Sequence, residues 1–262
     1  MEETYTHGHG EPVLRSHRWR TAANSASYLL PHLRPGLDLL DIGCGPGTIT
    51  AELAGRVAPG RTVGIDRAPE VVDQARSAVG RDAEFLTGDV YGLDFDPESF
   101  DVVHAHQLLQ HLAEPVAALE EMRRVLRPGG RLAVRDADYG AFVWHPADDR
   151  LDRWRDLYTE VCDRNGGDAD AGRRLPSWVD AAGFSDIEVS SSNWTYAEGR
   201  TAAWWAGLWA DRTTSSTFGD QAIDYGLATR AELQTIAEGW REWATQAGAL
   251  FVVVNMEVMA RP

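Results

Sequence analysis

The sequence predicts an α/β protein on a doubly wound sheet, and three observations predict it. The stretch Leu37–Thr48 is a short apolar run that stops at an acid, Asp41, and turns at once through Gly43, Gly45 and Gly47. Ile49, Leu53 and Val57 then recur at helical spacing, so the stretch reads strand, tight turn, helix. Two further apolar runs end in the same way, at Asp66 and at Asp89. In open α/β sheets ligands sit beyond the carboxyl ends of the strands, so these three acids mark one rim.

Composition narrows the class of partner. The 262 residues carry 25 Lys+Arg against 40 Asp+Glu, a formal charge of −15. Such a surface argues against nucleic-acid phosphates and anionic membranes as partners. Hydrophobic residues make up 44%, enough for a large core. Only Cys44 and Cys162 are present, so no disulfide framework is expected. The N-terminus lacks a secretion pattern, and no apolar run approaches about 18 residues, so a cytoplasmic protein without a membrane span is expected.

Residues 1–34 precede the first strand. Tyr5–Gly10 is polar and glycine-rich, and His7 and His9 have no carboxylate or cysteine at ligand spacing, so no metal site is expected. A helical pattern follows from Val13 through Ala22, Ala26, Leu29 and Leu30, until Pro31 and Pro35-Gly36 end it. Beyond the glycine turn, Thr62–Asp66 reads as a second buried strand, and Pro69 and Glu70 open the next helix. Ala83–Val90 holds the third strand and its exit. The fourth is Phe100–Gln107, where period-2 alternation puts His104 and His106 on one side. A helix with Val116, Leu119, Met122 and Leu126 inside stops at Arg127-Pro128-Gly129-Gly130, and Arg131–Asp136 is the fifth strand.

From residue 138 the pattern changes, and nine of the ten tryptophans lie beyond it. Leu151, Trp154, Leu157, Tyr158 and Val161 mark one helix, and Leu175–Phe184 a second with a Gly end. Ile187–Ser191 is a sixth strand and Ala249–Val258 a closing one. Between them residues 193–248 read as an insertion of two amphipathic helices, one with Trp204, Trp205, Leu208 and Trp209, the other with Leu233, Ile236, Trp240 and Trp243. Tryptophans at this spacing mostly build core. A lid over the active end and a homodimer contact are the two functional readings. The chain thus divides into an arm (1–34), a cofactor-binding core (35–138), substrate-side helices and sixth strand (139–192), a helical insertion (193–248) and a closing strand (249–262).

The turn itself discriminates among ligands. A dinucleotide fingerprint needs glycine at position 48, where this chain has Thr48, and a phosphate-binding P-loop needs a lysine that is absent. An acid ahead of the first glycine suits a ligand with an ammonium or sulfonium charge. An acid at the second strand end suits a ribose, a feature shared with NAD-binding folds.

With Asp41-x-Gly43-x-Gly45-x-Gly47, Asp66, Gly88-Asp89 and Leu126-Arg127-Pro128-Gly129-Gly130 in place, residues 36–138 resemble the class I S-adenosylmethionine-dependent methyltransferases. The resemblance is greatest to the ubiquinone/menaquinone-biosynthesis C-methyltransferases and their small-molecule relatives. It implies a Rossmann-like seven-stranded sheet with the last strand antiparallel, an N-terminal helical arm and a helical lid. It implies S-adenosylmethionine as cofactor and S-adenosylhomocysteine as product. Asp41, Gly43, Gly45, Gly47, Asp66 and Arg67 would meet the methionine and ribose parts. Gly88, Asp89 and Val90 would meet the adenine, His106 would line the site, and Tyr5, His17 and Arg20 of the arm would cover it. For a base toward a small, partly apolar O-, C- or N-acceptor, His111 comes first, then Tyr139, Asp138 and His145. Two rival readings stay open: a protein of this fold that binds the sulfonium without methyl transfer, for example to assist a cyclisation, and an NAD-dependent oxidoreductase.

Overall fold

The computed structural model describes Thr6, residues 16–197 and residues 199–262. Its centre is β1 (Leu39–Ile42), four buried residues hydrogen-bonded on both sides to parallel neighbours. Those neighbours are β2 (Thr62–Asp66) and β4 (Phe100–His106), with β3 (Glu84–Thr87) outside β2. β5 (Leu126–Ala137) continues the parallel set, and β8 (Leu250–Arg261) joins it antiparallel. β7 (Ser185–Ala197) then closes the edge beside β8. Five strands in parallel register place their carboxyl ends on one rim, so Asp41 and Asp66 arrive there together.

Helices cover both faces. α2 (Thr48–Val57) and α3 (Pro69–Val79) pack on the face of Leu39 and Gly64, and α4 (Pro115–Val125) and α6 (Ala171–Ala181) pack on the face of Leu40 and Ile42. Period-2 alternation within each strand splits the core into these two layers.

A second core lies outside the sheet. It joins α5 (Asp149–Arg164), α7 (Arg200–Ser215), α8 (Thr217–Asp224) and α9 (Arg230–Trp243) to Phe251 and Val253 of β8. Trp154 of α5 meets Trp209 of α7 edge-on at 4.4 Å and Trp240 of α9 at 4.9 Å between ring centroids. Of the expected stripes, Trp205, Leu208, Trp209, Leu233, Ile236, Trp240 and Trp243 are core, and Trp204 is half-buried against it. Among the described residues no helix is long and apolar enough to cross a membrane.

The structure differs from the sequence reading in four places. The arm is not one helix: residues 16–18 are helical, the helix ends before Arg20, Thr21 is extended and caps a new short helix, α1 (Ala22–Ser25), and a 3-10 turn follows at Leu30–His32. Thr21 accepts a hydrogen bond from the Asn24 N–H while Asn24 answers the Thr21 N–H, and that reciprocal cap starts a helix rather than continuing one. β5 begins at Leu126 and absorbs the Arg127–Gly130 phrase, with a register slip opposite Phe100. The sheet has an eighth strand, β6 (Val143–His145), which pairs with β8 where β5 has left it. The insertion starts only after β7 ends at Ala197, and it holds α8 as an additional helix, capped by Ser216.

Trp154 is fully buried at the meeting point of three helices. Trp154→Ala is expected to lower the unfolding free energy by about 3–5 kcal/mol, the range for an aromatic removed from a close-packed core. Urea denaturation checks this, and a loss under about 1 kcal/mol would show that the helices simply collapse into the space.

Candidate active site

The glycine turn is held by the end of the neighbouring strand. Gly43 and Gly45 have φ of 70° and 53°, values that side chains resist. The N–H groups of Gly43 and Cys44 both donate to the Ile65 carbonyl, at 2.8 and 2.9 Å. Gly45 N–H donates to Asp66 Oδ2 at 3.0 Å, and Ala68 N–H to Asp66 Oδ1 at 3.1 Å. Beneath the turn, Asp41 is 3% exposed; Thr50 donates to one of its oxygens at 2.5 Å and His104 Nδ1 lies 2.7 Å from the other.

Above this turn opens a cavity of about 390 Å³, within the size range of small-molecule sites. Asp41, Gly43, Gly45, Asp66, Arg67, Gly88, Asp89, Val90, His106 and Arg20 all line it, together with His17, Gln107 and His111. Among the described residues a Cβ at Gly45 would meet only the His17 ring, at 3.9 Å, so the backbone faces the cavity. Gly47 does not line the cavity: a Cβ there would strike the Phe85 ring at 2.9 Å, so its missing side chain serves the packing of β3 against α2. Tyr5 and the histidines at 7 and 9 lie outside the described residues.

Of the four candidate bases, the structure brings only His111 to the cavity. After Ala137 the chain leaves the rim through a 3-10 turn at Tyr139–Ala141 and runs into β6; that departure carries Asp138 and His145 away, while Tyr139 lines a smaller neighbouring space together with Arg20 and Gln107. Asp138 is buried, caps the turn at Ala141 and is ion-paired with Arg173 at 2.7 Å. Tyr139 stacks on Tyr158 at 4.1 Å in the second core, and burial pushes its phenol up. His145 is exposed on β6.

His111 ends the 3-10 turn Leu109–His111, and its Nε2 lies 2.9 Å from the Gln110 side-chain amide. Burial, with the Arg20 charge, pushes its pKa down to about 3, so the ring is neutral and a weak proton acceptor. His106, buried at the cavity wall, is likewise held well below its ordinary value by burial and then by Arg135. Asp136 accepts the Gln110 N–H at 3.2 Å beneath the same turn, and burial raises its pKa to about 7.

Sequence reasoning missed Gln107. Its backbone φ is 50°, rare for a non-glycine residue, and its side chain bridges Arg20 Nη2 (2.6 Å) and Asn255 Oδ1 (3.1 Å). Its place just after a strand tip was the available signal; the left-handed backbone is invisible in sequence.

Residues 40–134 match the methyltransferase domain family. An uncharacterized methyltransferase of Schizosaccharomyces pombe is 30% identical across 97% of this chain and 95% of its own length. In fold, the chain is similar to a Haemonchus contortus phosphoethanolamine N-methyltransferase solved with S-adenosylmethionine (TM-score 0.54, 16% identity, 88% of this chain and 50% of that one). It is also similar to the cyclase SpnF (TM-score 0.55, 22% identity, 99% and 88%). The chain belongs to the class I methyltransferase family, and its cofactor is S-adenosylmethionine. The cavity fits that assignment, with side-chain-free backbone at Gly43 and Gly45, carboxylates at the rim, and a buried His106 Nε2 that has no partner among the described residues.

The His111 shift has a thermodynamic consequence. The unfolded chain takes up a proton at this ring below about pH 6.5, whereas the folded protein does so only near 3. Stability therefore falls as pH drops through that window, by up to about 1.4 kcal/mol per pH unit. Asp136, with its raised pKa, acts in the opposite sense. The difference in unfolding free energy between wild type and His111→Gln, measured in urea from pH 7 to pH 4, isolates the histidine. Wild type is expected to lose stability relative to the variant as pH falls; a flat difference would refute the assignment.

Proposed function

We propose that this protein transfers a methyl group from S-adenosylmethionine to a small, partly apolar molecule. The observation that carries this is the cavity over a glycine turn with three strand-end carboxylates at its wall. Gly43 and Gly45 admit the cofactor to backbone contact. Asp66 has one backbone N–H on each oxygen, and each oxygen keeps a second acceptor position for a ribose hydroxyl. Asp89 and Val90 suit an adenine, the acid for its amino group and the apolar side chain for its ring. Asp41 faces the same space from below, while Arg67 and Arg20 stand at its margin.

When bound, S-adenosylmethionine would supply an electrophilic methyl on a sulfonium, open to displacement by an acceptor's lone pair. The protein's contribution is then alignment and exclusion of water. A neutral His111 with so low a pKa is a poor general base, which favours an acceptor that already offers a free electron pair.

Asp66→Ala is expected to weaken S-adenosylmethionine binding by about 1–3 kcal/mol, the range for losing hydrogen bonds to a charged group. Calorimetric titration reads this, and unchanged affinity removes the ribose assignment. Gly45→Val is expected to abolish binding, because its methyls would enter the cavity. Incubation of the protein with methyl-labelled S-adenosylmethionine and metabolite extract tests the transfer itself and names the acceptor.

The similarity to a cyclase supports a second reading, in which the bound sulfonium assists a reaction without losing its methyl. Product formation from an extract without any S-adenosylhomocysteine would favour that reading.

A further inference from the structure

Beside the cofactor cavity lies a second, smaller chamber between β7, α7 and the N-terminal arm. Arg20 and Gln107 line both spaces, so their 2.6 Å hydrogen bond is the partition between them. We propose that this chamber is the methyl acceptor's site, and that it takes a planar aromatic molecule carrying an oxyanion. The proposal rests on the reading of the first cavity as the cofactor's.

Three observations give the acceptor its chemistry. First, the walls are aromatic: Trp194, Tyr196, Trp204 and Trp205 surround the space. Second, the described charged side chains that line it are both positive. Arg20 and Arg212 line it and no described carboxylate does, in a chain whose net charge is −15. Arg212 is 4% exposed, with its guanidinium 5.0 Å from the Trp209 ring centre, and Arg20 lies 5.6 Å from that of Trp194. Third, the buried Tyr196 hydroxyl and Trp205 Nε1 have no hydrogen-bond partner among the described residues. Two hydrogen-bond donors left unanswered beside two cations are matched by acceptor oxygens, and leaving such donors unmet is costly.

Trp19 shows the shape of the occupant. Its ring is only partly covered, 38% exposed, yet it sits 5.4 Å from Trp194, 5.7 Å from Tyr196 and 5.7 Å from Trp204. With Trp19 in place the chamber holds about 30 Å³, the size of a water molecule rather than a ring. The arm's indole thus fills the aromatic slot, and an acceptor ring must displace it. The backbone at Gln107, strained at φ 50°, belongs to the same partition, consistent with a side chain held there for function.

The test uses the intact protein saturated with S-adenosylhomocysteine and three bicyclic probes of matched size: 2-naphthoate, 2-naphthamide and 2-naphthylmethylammonium. Calorimetry is expected to show the anion binding at least tenfold tighter than the amide, with the cation weakest. Arg212→Gln is expected to weaken naphthoate at least tenfold and leave S-adenosylhomocysteine unaffected, and Trp19→Ala to strengthen naphthoate. If Arg212→Gln does not fold, the wild-type ranking of the three probes decides alone. Equal binding of the probes, preference for the cation, or a Trp19→Ala variant with unaltered naphthoate affinity overturns the proposal. Failure of S-adenosylhomocysteine itself to bind would instead sink the cofactor reading; its binding without naphthoate binding sinks only the chamber.

Discussion

A turn made of glycines exposes backbone N–H groups that no helix or strand satisfies, and everything at the rim follows from where those groups find acceptors. Here the end of β2 takes all three: Ile65 accepts from Gly43 and Cys44, and Asp66 accepts from Gly45. Buried polar groups left unmet cost about 1–3 kcal/mol each, so β2 and the turn hold one geometry together. The parallel register of β1 with β2 and β4 then fixes the depth at which Asp41, Asp66 and His106 meet the cavity. The site is therefore built mainly of backbone, with side chains recruited to hold it.

The half of the sheet remote from the glycine turn carries a different burden. Arg135 is fully buried, with Glu257 at 3.4 Å, Ser192 at 3.1 Å and the Trp194 ring centre at 4.7 Å. Burial pushes its pKa down to about 10, against the opposing pull of Glu257. Ser190 and Ser192 donate in turn to the two oxygens of Glu257. Buried ions are costly unless their hydrogen bonds are met, and such networks are better suited to fixing geometry than to adding stability. This one joins β5, β8 and β7 beneath the arm, and Trp194 anchors the arm directly by donating to the Asn24 carbonyl. Arm, sheet and insertion thus meet around one aromatic and basic space.

Much of the cofactor half was legible from residues alone. Asp41, Asp66 and Asp89 each end a short apolar run, so their places at the rim followed from strand periodicity, and the structure lines the cavity with all three. The acceptor half was not legible. Asp138 and His145 follow the fifth strand in sequence, yet the turn at 139–141 and the pairing of β6 with β8 send them elsewhere, and of that segment's candidates only Tyr139 lines the second chamber. Gly47 looks identical to Gly43 and Gly45 in the motif; only the position of the Phe85 ring separates a packing glycine from a ligand-facing one.

By itself, then, the amino-acid order determined the parallel α/β framework, the acidic strand ends and the tryptophan-rich helices that needed a core. These are local properties: a run of apolar residues, its period and its terminator act over a few residues. Tertiary structure alone decided that Trp19, Trp194 and Arg212, far apart in the chain, enclose one chamber with Gln107 as its shared wall. Such a meeting depends on strand order and on how the arm crosses the sheet, and neither leaves a trace in the spacing of residues along the chain.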